Sequence, residues 1–250
     1  MSDAIAPTGA FVPPPLRQDE AHVWRTTLEN LGSREQRWDH FLSPEEHQRA
    51  SRFRFPRDRQ RFVTGRAWLR MLLGSYLNLA PQSLSFSYTE HGKPSLNGQY
   101  AMRNLLFNIS HSDQAVLFGV TIGHAIGVDV ERVRYDFEVA SIAKRFFSSV
   151  EQKAFFSFPS TQQHRAFFDC WTRKEAYVKA VGEGLSHPLH QFDVSLNTGD
   201  SAVLLATRPD RNEAKHWTLA ALEVGPAYSA AVAVRSAGIK IHCREFPQLA

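Results

Sequence analysis

Apolar residues recur along this chain at helical and at strand spacings, and each spacing predicts an element. From Val63 to Leu79 they fall at Ala67, Trp68, Met71, Leu72 and Leu79, so a helix is expected with this stripe in a core. Ser43-Pro44-Glu45-Glu46 upstream reads as another helix start, with proline at the first helical position and acids in the first turn. Val23 to Leu28 opens as a strand, Leu84 to Tyr88 alternates as a short one, and His91-Gly92-Lys93-Pro94 marks a turn. Leu105 to Ile109, Ala115 to Ile122 and Ala125 to Val133 are strand-like, the last two joined through Gly123. Helical spacing returns over Val139 to Phe147, Glu151 to Phe158 and His164 to Val181. Gly182-Glu183-Gly184 stops the last of these and Pro188 forbids its continuation. Ala202 to Thr207, Trp217 to Val224 and Tyr228 to Val234 form a closing set of strands, with Gly225-Pro226 as a turn.

Two successive helix-then-strand units predict an α+β fold of two similar lobes, residues 16–124 and 125–250, joined near His124. A chain of 250 residues is long enough for a sizeable core, and 43% hydrophobic with 22% charged residues is ordinary for a globular protein. The least polar stretch, Ala115 to Val130, is interrupted by Thr121, Gly123, His124 and Asp129, so no spanning helix and no membrane partner are expected. Asp3, Pro7 and Pro13-Pro14-Pro15 with no basic segment exclude a signal peptide and predict a disordered tail over residues 1–15. Two cysteines, Cys170 and Cys243, cannot build a disulfide framework, so a reducing cytoplasm is expected.

The net charge of +4 is mild, but its distribution is not even. Eight arginines and one acid, Asp58, lie between Arg49 and Arg70. Such a block either faces an anion or forms a solvated helix face.

Candidate chemistry lies in three places. In Gly127-Val128-Asp129-Val130-Glu131, strand geometry puts Asp129 and Glu131 on one face, where they repel unless a cation or a shared proton lies between them. Mg²⁺ suits such a pair; acids turned outward on an exposed strand are the plain alternative. On the long helix, Glu175 falls within the stripe of Phe168, Trp171 and Val178, where a carboxylate is costly unless paired or metal-bound. Lys179 one turn on offers an ion pair instead. In Asn108-Ile109-Ser110-His111-Ser112 polar residues cluster at a strand end, with no Gly-x-Ser-x-Gly elbow anywhere to support a hydrolase triad. Glu151 follows Ser148 by three, a capping box. Walker A and dinucleotide fingerprints are absent.

In order, the chain carries the Arg-rich helix, His-Gly-Lys-Pro at 91–94, Phe-Asn-Ile-Ser-His-Ser at 107–112 and Gly-Val-Asp-Val-Glu at 127–131. Arg-Phe-Phe-Ser-x-x-Glu at 145–151, Trp-Thr-x-Lys-Glu-Ala-x-x-Lys at 171–179 and Gly-Glu-Gly-Leu-Ser at 182–186 follow. This set, spanning about Ser43 to Val234, resembles the long, Sfp-type group of the 4′-phosphopantetheinyl transferases. The resemblance implies a pseudo-duplicated fold with the active site between its lobes. It also implies Mg²⁺-dependent transfer of the phosphopantetheine arm of coenzyme A to a serine of an apo acyl or peptidyl carrier protein, releasing adenosine 3′,5′-bisphosphate. Its implied metal ligands are Asp129, Glu131 and Glu175, with Mn²⁺ a possible substitute for Mg²⁺. Its coenzyme A contacts are Arg49, Arg61, Lys93, Ser110, His111 and Lys179, and its catalytic residues Glu175, Lys179 and Glu151. A cytoplasmic monomer with no nucleic-acid partner is expected.

Two positions depart from the family pattern: Glu46 stands where some relatives carry a basic coenzyme A contact, and Phe62 replaces a hydroxyl found in others. Two other readings stand beside this one. A metal-dependent phosphohydrolase would use the same carboxylates on a phosphate ester. An RNA- or acidic-protein-binding module would use the arginine block with Phe53, Phe55 and Phe62 exposed for stacking, although these three are expected in the core. Neither accounts for Asp129, Glu131 and Glu175 together with Lys179.

Overall fold

The structure, a computed structural model, describes residues 11–28, 38–90, 92–97, 104–184, 187–196 and 201–246. The first half runs β1 (Glu20–Thr27), α1 (Pro44–Ser51), α2 (Pro56–Leu77), a small hairpin of β2 (Phe86–Tyr88) and β3 (Pro94–Leu96), then β4 (Leu105–Ser112) and β5 (Ala115–Ile122). The second half repeats the plan with β6 (Ile126–Arg132), α3 (Val139–Phe146), α4 (Ser149–Ser157), α5 (Ser160–Val181), a pair of β7 (Phe192–Val194) and β8 (Leu204–Thr207), then β9 (Thr218–Ala221) and β10 (Tyr228–Val234). A last strand, β11 (Lys240–Glu245), follows. The main helix of each half, α2 or α5, has 22 residues. The sheets share one strand order, β1-β5-β4 in the first and β6-β10-β9 in the second. This is the expected two-lobed α+β architecture.

Four layers result. α2 covers the outer face of the first sheet, where Val63, Ala67, Trp68 and Leu72 pack with Val116, Phe118 and Val120. Between the sheets, Ala21, Val23 and Leu117 meet Ile126, Val128, Val130 and Val232. The other face of the second sheet, with Ala231 and Ala233, lies in one core with Ala176 and Ala180 of α5 and the rings of Phe147, Phe155 and Phe167. β5 is buried over nearly its whole length because both its faces are covered, which is why it reads as an unbroken apolar run.

The pattern misses what carries no apolar period. α2 begins at Pro56, seven residues before the predicted Val63, because Arg57, Asp58 and Arg59 in its first turn lie at the surface. β3, β7 and β11 are additions. β11 pairs in parallel with β1, Ala21 opposite Ile241 and Val23 opposite Cys243, so the chain's last strand completes the first lobe's sheet. A lobe boundary at 124/125 therefore does not separate the two sheets. The tail expected over residues 1–15 is also corrected from Phe11 onward: its ring meets Trp24 edge-on at 4.9 Å and Phe246 at 5.0 Å. Residues 1–10, like His91, Leu185 and Ser186 of the motifs, lie outside the described residues. Among the described residues no helix is long and apolar enough to cross a membrane, and Cys170 and Cys243 are both free thiols.

Candidate active site

β4 ends the first sheet and β6 ends the second, and these two edges meet without pairing. Alternate side chains of β4 take the place of a partner strand. Asn108 Oδ1 accepts from the Val128 N–H at 3.0 Å, Ser110 Oγ from Val130 at 3.3 Å and Ser112 Oγ from Arg132 at 3.1 Å. The outward N–H groups of β6 are thereby satisfied. The same hydroxyls hold the carboxylates: Ser110 donates to Asp129 Oδ1 at 3.0 Å and Ser112 to Glu131 Oε2 at 2.7 Å.

Gly127, Asp129 and Glu131 share the β6 face that meets α5. A Cβ on Gly127 would lie 2.1 Å from the Ala176 carbonyl oxygen and 2.4 Å from the Ala180 nitrogen, so only glycine lets the helix backbone come this close. That approach brings Lys179 to the strand, where its ammonium donates to Asp129 Oδ1 at 2.5 Å and to Ser110 Oγ at 2.9 Å. The Glu175–Lys179 pair that helix spacing offers is therefore not the one formed. Lys179 turns toward β6, leaving Glu175 half-buried with Oε1 unpartnered, and Asp129 Oδ2 is likewise buried and unpartnered.

These acids feel one another. Burial raises the Glu175 pKa, and the charges on Asp129 and Glu131 raise it further against the pull of Lys179. Burial also raises that of Glu131, opposed by the Ser112 hydrogen bond and reinforced by Asp129. A hard cation fits this donor set, because two orphaned carboxylate oxygens and a third acid held by one hydroxyl are what such an ion completes. Among the described residues no His, Cys, Asp or Glu side chains are gathered in threes closely enough to enclose a metal as they stand. The carboxylates would have to close on the ion, as like charges do only when a cation lies between them.

Beside them lies a cavity of about 340 Å³ lined by Arg49, Arg61, Lys93, His111 and Lys179, with Phe62 in its wall. Five of the six expected coenzyme A contacts thus surround one space, and the sixth, Ser110, is buried against Lys179. The Arg49 guanidinium lies over the Phe62 ring, 5.2 Å from its centroid. Arg61 donates to the Asp113 carbonyl at 3.2 Å, and the Asp113 carboxylate also draws Arg57 and Arg132, at 3.6 and 3.1 Å. Although the His111 ring keeps an open face, neighbouring atoms desolvate it and Lys179 and Arg61 repel its proton, so its pKa is lowered. Burial brings the Lys93 ammonium down to about 8.

The arginine block is not one surface. Buried Glu46 caps α1 with Ser43 and holds Arg70 at 2.7 Å and Arg66 at 3.4 Å, so the departure at Glu46 is a structural ion pair. Phe53 and Phe55, expected in the core, are 37% and 58% exposed. Glu151 is corrected too. It closes the capping box with Ser148, pairs with Lys174 at 2.6 Å and accepts from the Val194 N–H at 2.8 Å, wholly inside the second lobe's core. With both oxygens occupied and no exposure it has no access to a substrate. Sequence reading missed the roles of Asn108, Ser112 and Gly127; the signal was the alternation of Asn108, Ser110 and Ser112 along one face of β4.

Residues 125–233 match the family model described as the 4′-phosphopantetheinyl transferase superfamily, and residues 30–121 match the one described as 4′-phosphopantetheinyl transferase, N-terminal. The chain belongs to this superfamily, within its Sfp-type group, and is a 4′-phosphopantetheinyl transferase. It is 39% identical over 223 residues to 4′-phosphopantetheinyl transferase HetI of Nostoc sp., covering 89% of this chain and 90% of that protein. It is 30% identical over 224 residues to 4′-phosphopantetheinyl transferase Sfp of Bacillus subtilis, covering 90% and 89%. To the human L-aminoadipate-semialdehyde dehydrogenase-phosphopantetheinyl transferase it is 30% identical over 207 residues, covering 78% and 67%.

Proposed function

We propose that the chain transfers the 4′-phosphopantetheine arm of coenzyme A to a serine hydroxyl of an apo acyl or peptidyl carrier protein, with Mg²⁺ bound, as a cytoplasmic monomer. One observation carries the reading. The cation-lined cavity opens through Lys179 onto Asp129, where two buried carboxylate oxygens, Asp129 Oδ2 and Glu175 Oε1, have no partner.

Asp129, Glu131 and Glu175 would hold the ion, which when bound neutralises charge on the pyrophosphate undergoing cleavage. Arg49 and Arg61 are placed to grip phosphate oxygens by charge-assisted hydrogen bonds. His111, its pKa lowered, is neutral near pH 7 and offers one ring N–H. In the transfer the serine oxygen bonds to the phosphorus that carries the pantetheine arm, and the bond from that phosphorus to the bridging oxygen breaks. The electron pair leaves with adenosine 3′,5′-bisphosphate, whose charge Lys179 stabilises. Glu175 accepts the serine proton on the carboxylate oxygen not turned to the ion. Ser110 fixes Lys179 relative to Asp129 throughout.

The test is intact-mass analysis of several apo carrier proteins incubated with enzyme, coenzyme A and Mg²⁺. A mass gain equal to the phosphopantetheine arm on any of them, lost when its acceptor serine is replaced, is the expected result. Inorganic phosphate or free nucleotide released from coenzyme A with no carrier modified would overturn the reading in favour of hydrolysis.

A further inference from the structure

Helix α5 ends at Val181, and Gly182 follows in the left-handed region with φ 90°, returning its N–H to the Val178 carbonyl at 2.8 Å. The next carbonyls have no partner inside the helix. Two of them, those of Lys179 and Ala180, accept from the Lys93 ammonium at 2.5 and 3.1 Å. A third bond, at 3.5 Å, goes to the carbonyl of Ile126, the first residue of β6. A lysine ammonium has three donors: two make close bonds to main-chain carbonyls of the helix end, and the third reaches toward the Ile126 carbonyl at the longer distance. The charge lies at the negative end of the helix, where a cation is stabilising.

These bonds cross the molecule. Lys93 comes from the β2–β3 hairpin of the first lobe, whereas Lys179, Ala180 and Ile126 belong to the two elements of the second lobe that carry Asp129, Glu131, Glu175 and Lys179. Beside Ile126 is Gly127, where α5 and β6 touch backbone to backbone. We infer that Lys93 is a positioning residue, an interlobe clamp that holds the last turn of α5 against β6 and so fixes Lys179 and Glu175 relative to Asp129, and that it does not grip coenzyme A. This rests on the transferase reading of the site. The half-buried ammonium, its pKa brought to about 8 by desolvation, accords with a group enclosed by protein.

The two roles leave different kinetic marks. A phosphate contact, when removed, raises KM for coenzyme A; a clamp, when removed, misplaces the reacting groups and lowers kcat, since shifts near 1 Å cost on the order of a hundredfold. Lys93→Met should lower kcat at least tenfold with KM for coenzyme A little changed. Lys93→Arg, which restores a multiple donor to the carbonyls, should recover most of the loss. Mn²⁺ binding to the enzyme without coenzyme A, followed by electron paramagnetic resonance, should weaken several-fold in Lys93→Met because Glu175 is no longer held. Circular dichroism on both variants separates misfolding from misplacement, and the arginine variant keeps the test open if the methionine variant does not fold. A rise in KM with normal kcat and unchanged Mn²⁺ affinity would overturn the clamp and return Lys93 to the nucleotide. Wild-type enzyme that modifies no carrier would instead defeat the transferase reading on which the clamp rests.

Discussion

Replacing Gly127 by alanine inserts one methyl group where β6 and α5 touch. The new carbon would sit 2.1 Å from the Ala176 oxygen, 2.4 Å from the Ala180 nitrogen and 3.0 Å from the Lys179 carbonyl carbon, all main-chain atoms that no side-chain rotation can move aside. Ordinary contact begins near 3.4 Å, so the helix must retreat by about 1.3 Å. Overpacking of this kind costs about 1–3 kcal/mol, which a protein of this length registers as roughly 2–4 °C in Tm for each kcal/mol. The larger effect falls on catalysis. Lys179 meets Asp129 at 2.5 Å from the turn that has to move, and a displacement near 1 Å costs on the order of a hundredfold in rate. Initial rates of holo-carrier formation, measured on protein whose far-ultraviolet dichroism matches wild type, should show kcat down by at least about that factor with Tm only modestly lowered. Wild-type kcat together with a wild-type Tm would show that the close approach of α5 to β6 does not set the geometry of the site.

If Arg61 grips the 3′-phosphate, Arg61→Ala should raise KM for coenzyme A at least tenfold and that for dephospho-coenzyme A, which lacks this phosphate, far less, a charge-assisted phosphate contact being worth about 1.5–3 kcal/mol; equal losses would leave Arg61 only a general attraction. Glu151→Gln uncovers a buried, unpaired Lys174 and should cost about 3–5 kcal/mol of stability in denaturant titration while kcat per folded molecule stays near wild type; a large loss of kcat in fully folded protein would restore Glu151 to the catalytic set. Glu175→Gln tests a linkage: burial and Asp129 raise the folded pKa of Glu175 above its unfolded value, so its stabilising contribution is complete below the unfolded pKa and is lost as pH rises through the folded one. With a chelator present the variant should therefore melt like wild type near pH 4 and above it at pH 8, and its kcat should fall at least about a hundredfold; a variant less stable than wild type at pH 8 would refute the sign.

What could be read from the sequence was whatever leaves a period or a motif. The stripe on α2, the apolar run of β5, the proline-led helix start after Ser43 and the capping box at Ser148 are local, and the elements stand close to where those signals place them. Asp129 and Glu131 announce a shared face because strand alternation is a local rule. What stayed hidden was set by distant partners. Whether Lys179 would pair with Glu175 on its own helix or with Asp129 depends on how closely α5 crosses β6, which is decided by the missing side chain of Gly127. Glu151 carries the same sequence motif whether it caps a helix or serves a substrate, and only Lys174 and Val194 closing around it separate the two. β11 has no strong alternation, since none of its residues is fully buried, and nothing local says that it returns to β1 in the other half.

The matching strand orders of the two halves bear on why the site lies where it does. In each half the first strand pairs with the last, so each sheet is left with an open edge, and the tight turn through Gly123 sends the chain from β5 straight into β6, bringing the β4 and β6 edges together. Unpaired edges invite pairing with other chains, and here they are closed by Asn108, Ser110 and Ser112 instead of by a strand. Closing with side chains leaves the two edges farther apart than a ladder would, which opens room for a cavity between lobes, and a hydroxyl that accepts from a main-chain N–H still has a proton to give. Ser110 and Ser112 give theirs to Asp129 and Glu131. Edge protection and carboxylate placement are thus performed by the same two hydroxyls, so replacing either serine by alanine loses both at once, whereas threonine at either position keeps the hydroxyl that both depend on.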